Sequence, residues 1–399
     1  MREKLLFIIS SLNTGGAQAA MAKLSLALSK DYEIDWILNS DENIIYDYRG
    51  NIHSLKMAEP KDRSSYGYIL KTFFKRLSVI GKMKKKGGYK ACISFLDSAN
   101  IANVMTGRHG SKIILSQRSS FAGRPEKKRS PLVLFVDKFF YKKADAVVAV
   151  SQGVRKELID LFGLKEDRVF AINNGFDNEK ILSMKGEETS DFVRQPGKFY
   201  FVNVGRLDYP KGQWHLIRAF SKVAKVSPQA QLIIIGDGAE EEYLKSLISG
   251  LGLEERVSIM PFRENPFQIM GRCDAFVFSS LYEGFSNAIV EGLICGLPCI
   301  STDHRSGARE ILAPHTPFFY QTFDKEEDAE FGILVPVCSG TRHDAAAPLE
   351  KEEEILGDAM INMLKNPEIK GNYKYAAKQR GLQFDLYAKG GEWKDIIEA

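Results

Sequence analysis

Short apolar runs alternate with amphipathic stretches along most of the chain, the pattern of strands and crossover helices in parallel sheets. Residues 4–10 read as a buried strand, 12–18 as a glycine-containing loop, 17–29 as an amphipathic helix and 34–39 as a second strand. A basic helical stretch over 66–86 precedes strands at 90–96, 112–116 and 145–151. Periodicity fails over the polar segment 177–197, which ends in Gln195-Pro196-Gly197 and reads as a linker. The alternation then restarts. Strands are expected at 199–205, 231–236, 257–262, 275–279 and 298–302, with helices at 212–226, 240–250 and 285–295. Residues 350–366 and 370–395 read as closing helices, and 313–331 and 338–349 as loop insertions. The pattern predicts an α/β chain of two Rossmann-like units in succession, at 1–180 and 195–381, and no finer repeat.

Composition agrees with that reading. A chain of 399 residues exceeds one ordinary core, and 44% hydrophobic with 27% charged residues describes a globular protein. No apolar run approaches the roughly 20 residues that span a bilayer. The run at 5–9 is strand-length and has no signal-peptide features, so a cytoplasmic location is expected. The cysteines Cys92, Cys273, Cys295, Cys299 and Cys338 form no CxxC pair, which argues for reduced core residues over a disulfide framework or zinc site. The net charge of +4 hides an asymmetry: residues 56–143 hold 21 basic and 5 acidic side chains.

Three segments carry candidate chemistry. In Tyr282-Glu283-Gly284-Phe285-Ser286-Asn287-Ala288-Ile289-Val290-Glu291, two acids flank the expected start of a helix that follows a strand. Glu283 falls in the loop and Glu291 about two turns inside the helix, some ~10 Å along its axis. The backbone N–H groups between them face outward at the positive helix end, a site for an anion such as a diphosphate. Gly205-Arg206-Leu207-Asp208-Tyr209-Pro210-Lys211-Gly212 follows the first strand of the second unit, where such sheets bind ligands. Arg206 offers a planar fork for phosphate oxygens and Lys211 a mobile point charge. Asn13-Thr14-Gly15-Gly16-Ala17 joins the first strand to the first helix. It is neither a G-x-G-x-x-G nor a Walker A loop. Gly236-Asp237-Gly238 reads as a turn.

Together and in this order, the segments resemble glycosyltransferase family 4, retaining enzymes of the GT-B fold in which two Rossmann-like domains face each other across a cleft. The likeness is strongest over 199–312, and Ser301-Thr302-Asp303-His304-Arg305-Ser306-Gly307-Ala308-Arg309-Glu310 resembles members from bacterial polysaccharide assembly. The resemblance implies an acceptor-binding first domain, onto which a closing helix at about 382–399 packs back, and a nucleotide-sugar-binding second domain. It assigns Arg206 and Lys211 to the donor diphosphate, Glu291 to the ribose and Glu283 to the donor sugar. Gly205 and Gly284 shape the loops. The amides of Phe285, Ser286 and Asn287 would cradle the phosphates, Phe262 and Arg263 would meet the base, and Gly15 and Gly16 would lie against donor and acceptor.

The sequence departs from the family at Gln18, where Glu is common, and in lacking the first-domain histidine many members carry. Ser116-Gln117-Arg118-Ser119 stands in its place, with Asp97 and Asn100 after the preceding strand. Arg118 is the candidate first-domain catalytic residue, with a structural role as its alternative; His304 reads as structural.

The implied reaction is retaining, front-face transfer of a sugar from a nucleotide sugar, UDP-linked by expectation, to a glycan hydroxyl. Fixed positive groups stand where other transferases use a divalent ion, so no metal and no cofactor are expected; the nucleotide sugar is a substrate. Sugar, base, acceptor and oligomeric state stay open. A nucleotide-sugar epimerase of the same architecture is the alternative. Nucleic acid is not an expected partner, because the basic region carries no RRM, KH or zinc-finger pattern. Lys82-Met83-Lys84-Lys85-Lys86 and Lys127-Lys128-Arg129, interleaved with apolar residues such as Leu70, Phe74, Leu132 and Phe135, point instead to an anionic membrane surface. A lipid-linked acceptor at the inner face of the cytoplasmic membrane follows from that reading.

Overall fold

The computed structural model describes residues 2–13, 15–57, 66–121, 130–322 and 324–399. Thr14 and Lys127-Lys128-Arg129 lie outside the described residues. The chain forms two compact units, Met1–Phe176 together with Leu386–Ala399, and Asp177–Asp385.

The first unit holds β1 (Glu3–Ile8), β2 (Tyr32–Leu38), β3 (Asn51–Ser54), β4 (Tyr89–Phe95), β5 (Lys112–Gln117), β6 (Ala146–Ala149) and β7 (Val169–Ala171). They pair in parallel in the order β3-β2-β1-β4-β5-β6-β7. Strands of this sheet are apolar on both faces because helices cover both. In β1, Leu5 and Phe7 pack with Met21, Leu24 and Trp393. Leu6 and Ile8 point the other way and pack with Ile80, Ala99 and Ala102. The order reverses at β1, so the crevice at its carboxyl end is where a doubly wound sheet takes a ligand.

The second unit repeats the plan with β8 (Phe199–Val204), β9 (Ala230–Ile235), β10 (Val257–Met260), β11 (Ala275–Phe278), β12 (Cys299–Thr302), β13 (Glu327–Ala329) and β14 (Gly332–Val335). Their order is β10-β9-β8-β11-β12-β14-β13, and β13 runs antiparallel to β14. Here the reversal falls at β8, between β9 and β11. Trp214, Phe220, Leu356 and Met360 seal one face.

Four features differ from the sequence reading. The segment expected as a linker contains a helix, Asn178–Gly186, started by Asp177 Oδ1 accepting from the Lys180 N–H at 2.9 Å. Its polar composition hid it; only Asn178 and Ile181 are buried. The second of the expected closing helices, 370–395, is two, Pro367–Leu382 and Leu386–Glu398. The break marks the return to the first unit, where the Leu386 N–H donates to Phe176 O at 2.9 Å and Trp393 stacks on Phe95 at 5.8 Å. The expected loop over 313–331 ends in β13, and β3, β7 and β14 were too short or flanked too irregularly to read. In agreement with the sequence reading, the cysteines are all free and, Cys273 apart, buried.

Candidate active site

The loops that leave β8, β9, β11 and β12 converge at one edge of the second sheet. Gly236, after β9, approaches so closely that a Cβ there would stand 2.0 Å from Gly205 O. The turn after β9 thus lies directly against the start of the Gly205–Gly212 loop, with no space for a side chain between them. Lys211 Nζ reaches Glu283 Oε1 at 2.5 Å, and Ser280 Oγ donates to the same oxygen at 3.0 Å. The ammonium also lies over the Phe278 ring, 5.2 Å from its centroid. Both charged side chains keep under a fifth of their surface exposed. Arg206 behaves differently: it is 76% exposed and paired with Asp208 at 2.8 Å.

Glu283 stands before the helix Asn287–Ile294. Among the described residues, the N–H groups of Gly284, Phe285, Ser286 and Ala288 find no acceptor, whereas Asn287 N–H donates to Phe285 O at 3.2 Å. Of the three amides expected to cradle the phosphates, those of Phe285 and Ser286 are open and that of Asn287 is not. Glu291 lies about one turn inside the helix rather than two, because the helix starts at Asn287. The loop rests on Gly307, whose φ of +97° favours glycine and where an added Cβ would stand 3.1 Å from Phe285 Cα, tighter than an ordinary contact.

His304 follows β12 and is 1% exposed. Its Nε2 lies 2.9 Å from Ser286 Oγ. Burial, together with the nearby Lys211 charge and against the pull of Glu283, pushes the imidazole down to about 4, so it is neutral at physiological pH. The preceding Asp303 is held by Arg309 at 2.6 Å, which also binds Glu327 at 2.7 Å. Phe262 is exposed, and its N–H donates to Asp237 Oδ1 at 3.0 Å. Arg263 pairs with Asp191.

In the first unit, Gly15 precedes the helix Gly16–Leu28, and its N–H donates to the Tyr46 hydroxyl at 3.0 Å. Tyr46 carried no signal in the sequence, since it sits in an irregular segment far from the loop it holds. Arg118 donates to Asn174 Oδ1 and to Ser116 Oγ and lies over the Phe95 ring at 4.9 Å. Burial pushes its guanidinium down to about 9. A small pocket in this unit is lined by Arg118, Asn173, Asn174, Lys389 and Trp393. Asn100 is a core residue, donating to Ser116 O and Tyr141 Oη at 3.1 and 2.9 Å.

Two family models match the chain: "Glycosyltransferase Family 4" over residues 14–180 and "Glycosyl transferases group 1" over 185–330. An uncharacterized glycosyltransferase of Methanocaldococcus jannaschii is 32% identical over 344 residues, 83% of each chain. The N-acetylgalactosamine-N,N'-diacetylbacillosaminyl-diphospho-undecaprenol 4-alpha-N-acetylgalactosaminyltransferase of Campylobacter jejuni is 30% identical over 388 residues, 96% of each chain. The chain belongs to the family 4 glycosyltransferases. Among solved structures, the Anabaena protein HepE in complex with UDP superposes with a TM-score of 0.74 at 20% identity, over 99% of each chain. Sucrose-phosphate synthase from Thermosynechococcus elongatus superposes with a TM-score of 0.78 at 18% identity, over 100% of this chain and 98% of that one. These likenesses show the fold, and the two Rossmann-like units of the GT-B class are the ones expected from the sequence.

One surface of this transferase changes an expectation. No described helix is long and apolar enough to cross a membrane. The helices Tyr66–Gly87 and Pro131–Tyr141 expose Leu70, Phe74, Leu132 and Phe135, each more than half exposed. Lys84, grouped with the docking lysines from sequence, is 2% exposed. Its ammonium donates to Asn103 O at 2.6 Å and Gly107 O at 2.8 Å, closing the carboxyl end of the helix Asp97–Met105. Burial pushes it down to about 8. Lys84 is a structural cap and cannot reach a membrane surface; Lys85 and Lys86 are not buried.

Proposed function

We propose that this transferase is a retaining enzyme that moves a sugar from a UDP-linked donor to a hydroxyl of a lipid-linked glycan in cell-surface polysaccharide synthesis, with no metal and no other cofactor. The observation that carries the reading is the Lys211–Glu283 pair, 2.5 Å apart, beside the acceptor-less amides of Gly284, Phe285, Ser286 and Ala288. A diphosphate on those amides meets the Lys211 ammonium, with the Arg206 fork reaching it from its exposed position. Glu283 then takes a donor-sugar hydroxyl and Glu291 the ribose. No second carboxylate is needed as a nucleophile. The acceptor hydroxyl forms its bond to the anomeric carbon on the face from which the diphosphate departs, and its proton passes to the leaving phosphate oxygen. Negative charge grows on that phosphate, where the fixed cation and helix amides stabilise it most. Arg118, packed on Phe95, is the first-unit candidate for steadying the acceptor side.

The acceptor class rests on the Campylobacter relative, whose name specifies a diphospho-undecaprenol glycan. The exposed apolar residues of Tyr66–Gly87 and Pro131–Tyr141, with Lys85, Lys86, Lys138 and Lys142 beside them, suit an anionic bilayer at the inner face of the cytoplasmic membrane. The basic region carries no RRM, KH or zinc-finger pattern, so nucleic acid is not an expected partner.

Purified protein incubated with a panel of nucleotide sugars in excess EDTA should hydrolyse one donor slowly, and NMR should show α-configured product from an α-linked donor. Inverted product would overturn retention. Activity lost in EDTA and restored by magnesium or manganese would overturn metal independence.

A further inference from the structure

Ser286 occupies the N-cap position of the helix Asn287–Ile294, yet its hydroxyl makes no capping hydrogen bond. A serine there ordinarily accepts from the amide two or three residues on, which satisfies an orphan N–H of the first turn. In this helix the third-residue amide, Ile289 N–H, already donates to Ser286 O at 3.1 Å. The amide left for a side-chain cap is Ala288 N–H, which has no acceptor among the described residues. The Ser286 hydroxyl instead lies 2.9 Å from His304 Nε2, and both residues are 1% exposed. His304 follows β12, and Gly307, three residues later, packs so closely against the same loop that an added Cβ would stand 3.1 Å from Phe285 Cα. The serine therefore has two competing partners, one inside the core and one on the ligand side.

We propose that His304 is a positioning residue: it draws the Ser286 hydroxyl into the core and so keeps the Ala288 amide open for the donor diphosphate. The proposal rests on the donor site described above and adds a residue that touches no substrate. The neutral imidazole suits the role, since it binds the hydroxyl without placing a buried cation next to Lys211. Without His304, rotation about a single side-chain bond lets Ser286 cap its own helix and occupy the amide the phosphate needs.

The test is calorimetry of the full-length protein with UDP, GDP and ADP as probes, on variants whose melting temperatures match the native protein. His304→Leu should bind the preferred nucleotide on the order of ten-fold more weakly, the cost of one lost hydrogen bond to a charged ligand. His304→Gln, whose amide reaches the Nε2 position, should lose no more than about two-fold. The decisive variant is His304→Leu combined with Ser286→Ala, which removes the competing cap and should recover most of the affinity lost in His304→Leu. A folded His304→Leu that binds as the native protein does, or a double variant no better than His304→Leu, overturns the proposal. Native protein that binds none of the three nucleotides overturns the donor-site reading itself, an outcome separate from any failure of His304.

Discussion

Two ion-pair clusters of the second unit differ in how completely their bonding capacity is used. In one, Arg218 and His215 share Glu353 at 2.9 and 2.7 Å, and all three side chains are fully buried. Arg218 spends its remaining donors on Asp344 O and Pro348 O at 2.7 and 2.6 Å, and His215 Nε2 accepts from the Gly340 N–H at 3.2 Å. Every arm is engaged in tying the loop over 338–349 to the helices Gln213–Val226 and Lys351–Lys365. In the other cluster, Lys211 and Glu283 meet at 2.5 Å but stay partly exposed beside unused amides. Full satisfaction marks a charge cluster as structural; leftover bonding capacity at a sheet's carboxyl edge marks a candidate binding site.

That contrast can be broken at four places, taken from the largest effect down. Glu353→Ala leaves a buried guanidinium without its partner and should destabilise the second unit by about 3–5 kcal/mol, read by denaturant unfolding. A loss below 1 kcal/mol would put the buried cluster in the same class as a surface pair. The pH dependence should follow. Burial raises the Glu353 carboxyl, but hydrogen bonds from His215 and Arg218 outweigh it and hold it below the ordinary carboxylate range. A depressed carboxylate contributes stability above its unfolded value and loses it as pH falls through its folded value. The stability gap between native protein and Glu353→Gln should therefore shrink in acid.

Lys211→Ala should leave the melting temperature nearly unchanged while turnover falls by about 3 kcal/mol in barrier, roughly 100-fold. Near-native kcat/KM would remove Lys211 from the diphosphate. The two acids sharpen the picture further. Glu291→Ala should weaken UDP binding measured by calorimetry, whereas Glu283→Ala should mainly lower kcat. Equal losses of UDP affinity would contradict that division.

The smallest effect concerns the first unit's lysines. Lys85→Glu with Lys86→Glu should reduce co-sedimentation with anionic vesicles at unchanged stability, each basic residue contributing about 1 kcal/mol near the surface. Lys84→Glu should instead lower stability, because it puts a buried carboxylate against the Asn103 and Gly107 carbonyls. Equal recovery with neutral and anionic vesicles would remove the membrane from the reading.

Much of this was legible in the residue order. Strands such as β1 and β9 announce themselves because sheets covered on both faces need unbroken apolar runs. Lys211 and Glu283 could be placed in loops and Glu291 inside a helix because loop and helix-start positions are set by local sequence. The polar helix Asn178–Gly186 and the three-residue strands β7 and β13 could not, since neither presents a period long enough to read.

By itself, then, the sequence determined the alternation of elements, the two-unit plan and the residue types at the sheet edges, all properties of near neighbours in the chain. Only the tertiary structure decided which of those residues are spent. Lys84 and Lys85 are adjacent and alike, yet one closes a buried helix end and the other does not. Ser286 has the residue type of a helix cap, and a histidine 18 positions away takes its hydroxyl instead. Hydrogen-bond partners and burial depend on which distant segments meet, and that information lies in no local stretch of the chain.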